Sequence, residues 1–120
     1  MNLEEGKHLA EDAVSKALSA GASYAEARLQ NERYRQYLLK NGESQPSLFG
    51  EGYGLGIRVI SHGALGFAAT NEMKAGTVKE LANRAVKLAK ASAPVLERKI
   101  VFDSAKAVKK KWAAPEKVKL

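Results

Sequence analysis

Two histidines, a run of alternating glycines and a late cluster of lysines are the residues of this chain whose types and spacing could do chemistry. His8 lies about one helical turn from Glu4, Glu11 and Asp12. Imidazole and carboxylates at that spacing are a ligand set for a divalent metal. Neither a second histidine nor a cysteine stands beside them, so an exposed imidazole on a solvated acidic face is the better account, and no metal site is expected. His62 sits in Ser61-His62-Gly63-Ala64 between two strand-like runs. No sequence neighbour is suited to act as its nucleophile or orienting carboxylate, and His-Gly suits a turn with positive φ, so a turn role explains it.

The glycines offer a different chemistry. Gly50, Gly52, Gly54 and Gly56 fall on every second residue. A dinucleotide-binding loop needs glycines at relative positions one, three and six, opening a helix. Here the sixth position is Leu55, Ile57 or Val59, and no Gly-Lys-Ser/Thr follows, so a phosphate loop is excluded. A strand of this composition instead carries Tyr53, Leu55, Ile57 and Val59 on one face, and Gly52, Gly54, Gly56 and Arg58 on the other. Glycine weakens a strand, so its repetition implies a close neighbour at that face or edge. A helix packed on the sheet would supply one. So would an extended peptide paired with the backbone around Gly52, Gly54 and Gly56, with Arg58 as a polar contact.

The third group is basic. The chain has 120 residues and a formal net charge of +7. Its first half is close to neutral, and the excess gathers late, at Lys106, Lys109, Lys110, Lys111, Lys117 and Lys119. Lys109, Lys110 and Lys111 could draw nucleic acid. They lack the interleaved aromatics that stack bases, so a solvated linker is the plainer reading and a nucleic-acid partner is not expected.

These residues must be positioned by one hydrophobic core, which is what this length allows. Cysteine is absent, which excludes disulfides and thiolate metal sites and fits a reducing compartment. No apolar run is long enough to span a membrane, and Met1-Asn2-Leu3-Glu4-Glu5 is too acidic for a secretory signal, so a cytoplasmic protein without membrane association is expected. Residues 3–20 predict an amphipathic helix with Ala10, Ala13, Val14, Ala17 and Leu18 inward, ended at Gly21. Residues 22–30 predict a strand with Ala25, Ala27 and Leu29 inward. A polar patch over 31–33 precedes a second extended run over 34–40. Asn41-Gly42 is a hairpin turn, and the return run 43–49 is interrupted by Pro46. Residues 53–61 and 64–71 pair about His62-Gly63. Met73 to Ala91 predicts a second helix, with Thr77-Val78-Lys79-Glu80 as a capping box and Val78, Leu81, Ala82, Ala85, Leu88 and Ala89 buried. A short strand over 98–103 and a weak helical pattern over 104–112 complete the reading.

The order of segments is itself informative. Gly21-Ala22-Ser23-Tyr24-Ala25-Glu26-Ala27-Arg28-Leu29 is followed by Asn41-Gly42, then by Gly54-Leu55-Gly56-Ile57-Arg58-Val59-Ile60 with its Gly63 turn. Gly66-Phe67-Ala68-Ala69-Thr70 comes next, then a helix containing Ala-Val-Lys-Leu-Ala-Lys. This series resembles the N-terminal domain of the TldD/PmbA family, historically labelled modulators of DNA gyrase. The resemblance implies a much longer protein in which paired subunits enclose a proteolytic chamber. It implies zinc in the TldD-like members, held by a histidine–glutamate–spacer–histidine motif in the C-terminal half. With only His8 and His62, this chain has no such motif, so no metal ligand carries over and the chain alone is expected to be inactive.

The expected fold is therefore α+β: a mainly antiparallel sheet with two amphipathic helices packed on one face. Residues 1–103 would form the domain, and 104–120 a basic tail or linker toward an absent C-terminal domain. The expected function is a non-catalytic N-terminal module of a TldD/PmbA-type metallopeptidase. It would assemble with a TldD/PmbA-type subunit as a homo- or hetero-oligomer and guide peptide or unfolded protein substrate. The alternatives are a small basic nucleic-acid-binding protein and a regulatory partner of a separate catalytic subunit.

Overall fold

The computed structural model describes residues 3–118. The elements in chain order are α1 (Leu3–Ser19), β1 (Tyr24–Gln36), β2 (Leu39–Lys40), β3 (Glu43–Ser44), β4 (Leu48–Ser61), β5 (Ala64–Thr70), α2 (Ala75–Ser92) and a single 3₁₀ turn (Ala93–Val95). β1, β4 and β5 form an antiparallel sheet in the order β1-β4-β5, and β2 pairs with β3 as a small separate hairpin. Both helices lie on one face, so the architecture is the α+β arrangement the sequence implies.

The core explains that choice of face. Leu55, Ile57 and Val59 alternate along β4 and are buried against Leu9, Ala13 and Ala17 of α1 and Val78, Ala82, Ala85 and Val86 of α2. Ala25, Ala27 and Leu29 of β1 pack around the same cluster. In both helices the inward residues recur every three or four positions, the spacing that keeps one stripe against a sheet. Leu9 and Val86 belong to that stripe, whereas Leu18 and Leu88, expected inside, are exposed. A helix stripe follows the surface it meets, and these two leucines fall at its margin.

The tightest approach of helix to sheet occurs at Gly66. A Cβ there would lie 2.1 Å from the Ala85 carbonyl oxygen and 2.9 Å from the Ala89 amide nitrogen. Gly66 is thus where a helix needs glycine, and the alternating glycines of β4 are not. Their face is turned away from both helices, and a Cβ at Gly52 would meet nothing within 4 Å. Of the two close neighbours the glycines allow, a helix is not found over that face among the described residues.

Two turns form as their residues dictate. Asn41 and Gly42 have φ of 53° and 82°, and His62 and Gly63 have 54° and 78°, the paired positive values of a two-residue hairpin turn. Lys90 Nζ donates to the Ala20 carbonyl at 2.9 Å, so a cation from α2 satisfies the end of α1, where the helix dipole favours it.

Four expectations are corrected. β1 runs unbroken through 31–33, because each residue from Tyr24 to Gln36 has a partner in β4. The run 43–49 is divided: Glu43–Ser44 belong to β3, Leu48 and Phe49 begin β4, and Pro46 lies in the gap between them. The capping box does not form. α2 starts at Ala75, which places Thr77 inside the first turn, and its hydroxyl donates instead to Glu72 Oε2 at 3.1 Å. Finally, 98–103 is not a strand and 104–112 is not a helix. One backbone bond, Ile100 N–H to the Gly63 carbonyl at 2.8 Å, holds the former, and every residue from 104 to 118 is exposed.

Candidate functional site

The outer face of the sheet is assembled from alternate residues of three strands. Register places Glu26 opposite Arg58, Arg28 opposite Gly56, Gln30 opposite Gly54 and Glu32 opposite Gly52. On the far side Phe67 is opposite Arg58 and Ala69 is opposite Gly56. The glycines have no side chains, so the flanking strands stand above them and leave a groove of about 620 Å³ over β4. Gly52, Gly54, Gly56 and Arg58 all line it, together with Glu26, Arg28, Phe67 and Thr70. The Phe67 ring lies along one wall, 3.2 Å from where a Gly56 Cβ would be.

Backbone availability differs along the groove. β5 ends at Thr70, opposite Leu55, so Leu55 through Ser61 is flanked by strands on both sides. Strand addition at Gly56 is therefore ruled out, because its neighbours already occupy both edges. Leu48 to Gly54 pairs with β1 alone and has no strand on its other side.

One end of the groove is built around Glu26. Its Oε1 takes the Arg58 guanidinium at 2.6 Å, and its Oε2 accepts from the Tyr24 hydroxyl at 2.6 Å. That hydroxyl bond raises the Tyr24 pKa above the ordinary phenol value, because the proton is held between two oxygens. The same bond, helped by the charge of Arg58, holds the Glu26 carboxyl below the ordinary carboxylate range despite partial burial. Phe102 arrives from the C-terminal segment. Its ring meets Tyr24 edge to face, centroids 4.9 Å apart at 81°, with the Arg58 guanidinium carbon 5.3 Å from its centroid.

The other candidates are scattered. His8 is exposed on α1, and among the described residues no three His, Cys, Asp or Glu come together to hold a metal ion. His62 contacts the Ser61 hydroxyl at 3.1 Å through Nδ1, a neighbour the sequence reading passed over. Ser61 is fully buried and donates its proton to the Gly21 carbonyl at 2.9 Å, so its oxygen can only accept from Nδ1. That polarity is the reverse of a serine activated by histidine, and the pair ties a turn to the sheet. Lys109, Lys110 and Lys111 lie in exposed irregular chain, followed directly by the exposed Trp112. Among the described residues the outer face is an open groove lined by glycine backbone, charged side chains and Phe67.

Tyr24, Glu26, Phe67 and Phe102 were not singled out from the sequence. The alternation of β1 with β4 could have found Glu26 and Tyr24, since matching Ala25, Ala27 and Leu29 to Val59, Ile57 and Leu55 sets Glu26 against Arg58. Phe102 gave no signal, because nothing local makes its segment regular.

No helix among the described residues is long and apolar enough to cross a membrane. Comparison with known proteins gives consistent results. The metalloprotease MJ0996 of Methanocaldococcus jannaschii is 30% identical over 95 residues, which are 79% of this chain and 21% of that protein. The crystal structure of TldE from Thermococcus kodakarensis shares the fold with a TM-score of 0.64 at 20% identity, over 86% of this chain and 23% of that one. A Bacteroides thetaiotaomicron protein named for modulation of DNA gyrase shares it with a TM-score of 0.59 at 19% identity, over 92% and 25%. This chain therefore spans about a quarter or less of each relative. The family model described as PmbA/TldA metallopeptidase domain 1 matches residues 25–89, from the start of the sheet to the last buried turn of α2. The chain belongs to the PmbA/TldD metallopeptidase family, whose first domain it carries.

Proposed function

We propose that this chain is a non-catalytic N-terminal module of a TldD/PmbA-type metallopeptidase, joining a TldD/PmbA-type subunit and guiding extended peptide toward a catalytic centre it does not itself contain. The observation that carries the reading is the distal half of the β1–β4 ribbon. Beyond Leu29 and Leu55 this ribbon leaves the helical layer, yet Tyr34, Tyr37, Leu38, Leu39, Leu48 and Phe49 remain large, apolar and exposed, with Phe49 at 72% and Leu39 at 68%. Single exposed apolar residues need no explanation, but six spread over the end of this ribbon and the β2–β3 hairpin beyond it are the mark of an interaction surface. The likeness to TldE supports a subunit of the same family as its partner. Zinc, in this reading, belongs to the C-terminal half of a TldD-like partner, and the assembly is cytoplasmic.

The groove supplies the guiding role. An extended peptide could pair with the free side of Gly52 and Gly54, then lie across the face of Gly56 toward Arg58. Co-purification tests the assembly. The wild-type chain should retain a TldD/PmbA-type subunit, and Leu39→Ser with Phe49→Ser should release it while leaving the circular dichroism spectrum unchanged. Retention by the double variant, or no association of the wild type, would sink the proposal. The nucleic-acid alternative gains nothing from the family assignment or from the placement of the lysines.

A further inference from the structure

The groove ends at an aromatic site that the chain fills with its own residue. Tyr24, Glu26 and Arg58 are locked to one another by two 2.6 Å contacts, so the phenol and the guanidinium are held in place. Such a pair offers an aromatic partner for edge-to-face packing and a cation for the ring face, both favourable geometries for an aromatic guest. Phe102 takes that place. What brings it there is slight: a single backbone hydrogen bond from Ile100 to Gly63, in a segment without regular structure whose Val101 is exposed. From Arg58 the open groove continues over Gly56, Gly54 and Gly52.

We propose that Tyr24 and Arg58 form a subsite for an aromatic side chain of an extended peptide, and that residues 98–103 are an intramolecular strap whose Phe102 occupies it until a ligand displaces it. The inference rests on the reading of the glycine face as a peptide groove and adds a side-chain preference and a competitor. The chain's own Phe102 indicates the occupant, since an aromatic ring carried by an irregular stretch of chain already sits there. The strap lowers apparent affinity by the fraction of time that it leaves the subsite empty.

Fluorescence anisotropy on the full chain tests it. The probes are a fluorescein-labelled peptide with the sequence of residues 97–104 and the same peptide with alanine replacing its phenylalanine. Wild type should bind the phenylalanine peptide weakly. Phe102→Ala should bind it about tenfold more tightly, as expected if the strap leaves the site free roughly one-tenth of the time. Tyr24→Leu in that background should lose the gain, and the alanine peptide should show no gain with any variant. Equal binding of both peptides by Phe102→Ala would overturn the aromatic subsite while leaving the groove intact. Equal affinity of wild type and Phe102→Ala for the phenylalanine peptide would overturn the strap. No binding of either peptide by any variant would overturn the groove itself and this inference with it.

Discussion

Replacing Gly66 with alanine probes the packing of α2 on β5 most directly. The added methyl would sit 2.1 Å from the Ala85 carbonyl oxygen, where ordinary contact begins near 3.4 Å. Backbone cannot rotate away as a side chain can, so helix and strand must separate by about 1.3 Å at that point. A gap of 0.5–1 Å already forfeits about a quarter to a half of each dispersion contact. The loss falls on the core cluster to which Ala85 and Ala89 belong together with Val78, Ala82 and Val86. Overpacking of this kind costs about 1–3 kcal/mol. Backbone-to-backbone contact puts Gly66→Ala near the upper end, and reduced unfolded-state entropy returns only about 0.4–1 kcal/mol. A net loss of about 2 kcal/mol should lower the thermal midpoint by roughly 8–16 °C in a domain of this size. Gly52→Ala is the control, because no atom lies within 4 Å of its Cβ. It should leave the midpoint unchanged or slightly raised. Thermal melts followed by circular dichroism decide the matter. The reasoning fails if Gly66→Ala melts within 2 °C of wild type, or if Gly52→Ala is equally harmful.

Other consequences are simpler to state. Ser61→Ala removes the donor to the exposed Gly21 carbonyl, a part-buried bond, and should cost about 0.5–1.5 kcal/mol in urea unfolding; a change below 0.3 kcal/mol would mean water replaces the hydroxyl. Glu26 has a lowered pKa in the folded chain, so its stabilisation is present above the unfolded carboxylate value and fades as pH falls through the folded one. The side chains of Arg58 and Glu26 are 43% and 40% exposed, so screening limits the effect to about 0.5 kcal/mol. Glu26→Gln should flatten that part of the acid limb and return the Tyr24 phenol toward its ordinary value, which ultraviolet titration of the phenolates would detect. Removing residues 104–120 should shift the thermal midpoint by less than 2 °C, since the described part of that segment is exposed throughout. The same deletion should not alter retention of duplex DNA at physiological salt, because none is expected with or without it; a band shift by the full chain alone would revive the nucleic-acid alternative.

Local chemistry determined much of this protein. Helical periodicity set α1 and α2, positive-φ residues set both hairpin turns, and alternation in β4 set which of its faces is apolar. The order of those segments was enough to place the family. Tertiary structure decided the register of the long ribbon. Counting back from the Asn41-Gly42 turn continues the β2–β3 pairing of Lys40 with Glu43, and would set Glu26 against Ile57. The actual partner is Arg58, because Tyr37 and Leu38 on one side face three residues, Gln45, Pro46 and Ser47, on the other. One extra residue moves every side chain to the opposite face, and only burial of Ala25, Ala27 and Leu29 beside Leu55, Ile57 and Val59 selects the register that forms. Where the close helix would fall was likewise a tertiary outcome. Glycines on the bare face of β4 invited it, but Gly66 received it, since the helices follow the apolar side of the sheet. The glycine face remained open as a groove over Gly52 and Gly54, while its corner at Arg58 depends on Phe102, more than forty residues from Arg58 in the chain. No local pattern announces such a contact; it exists because the chain turns past Gly63 and brings a ring to a place where a phenol and a guanidinium are already held.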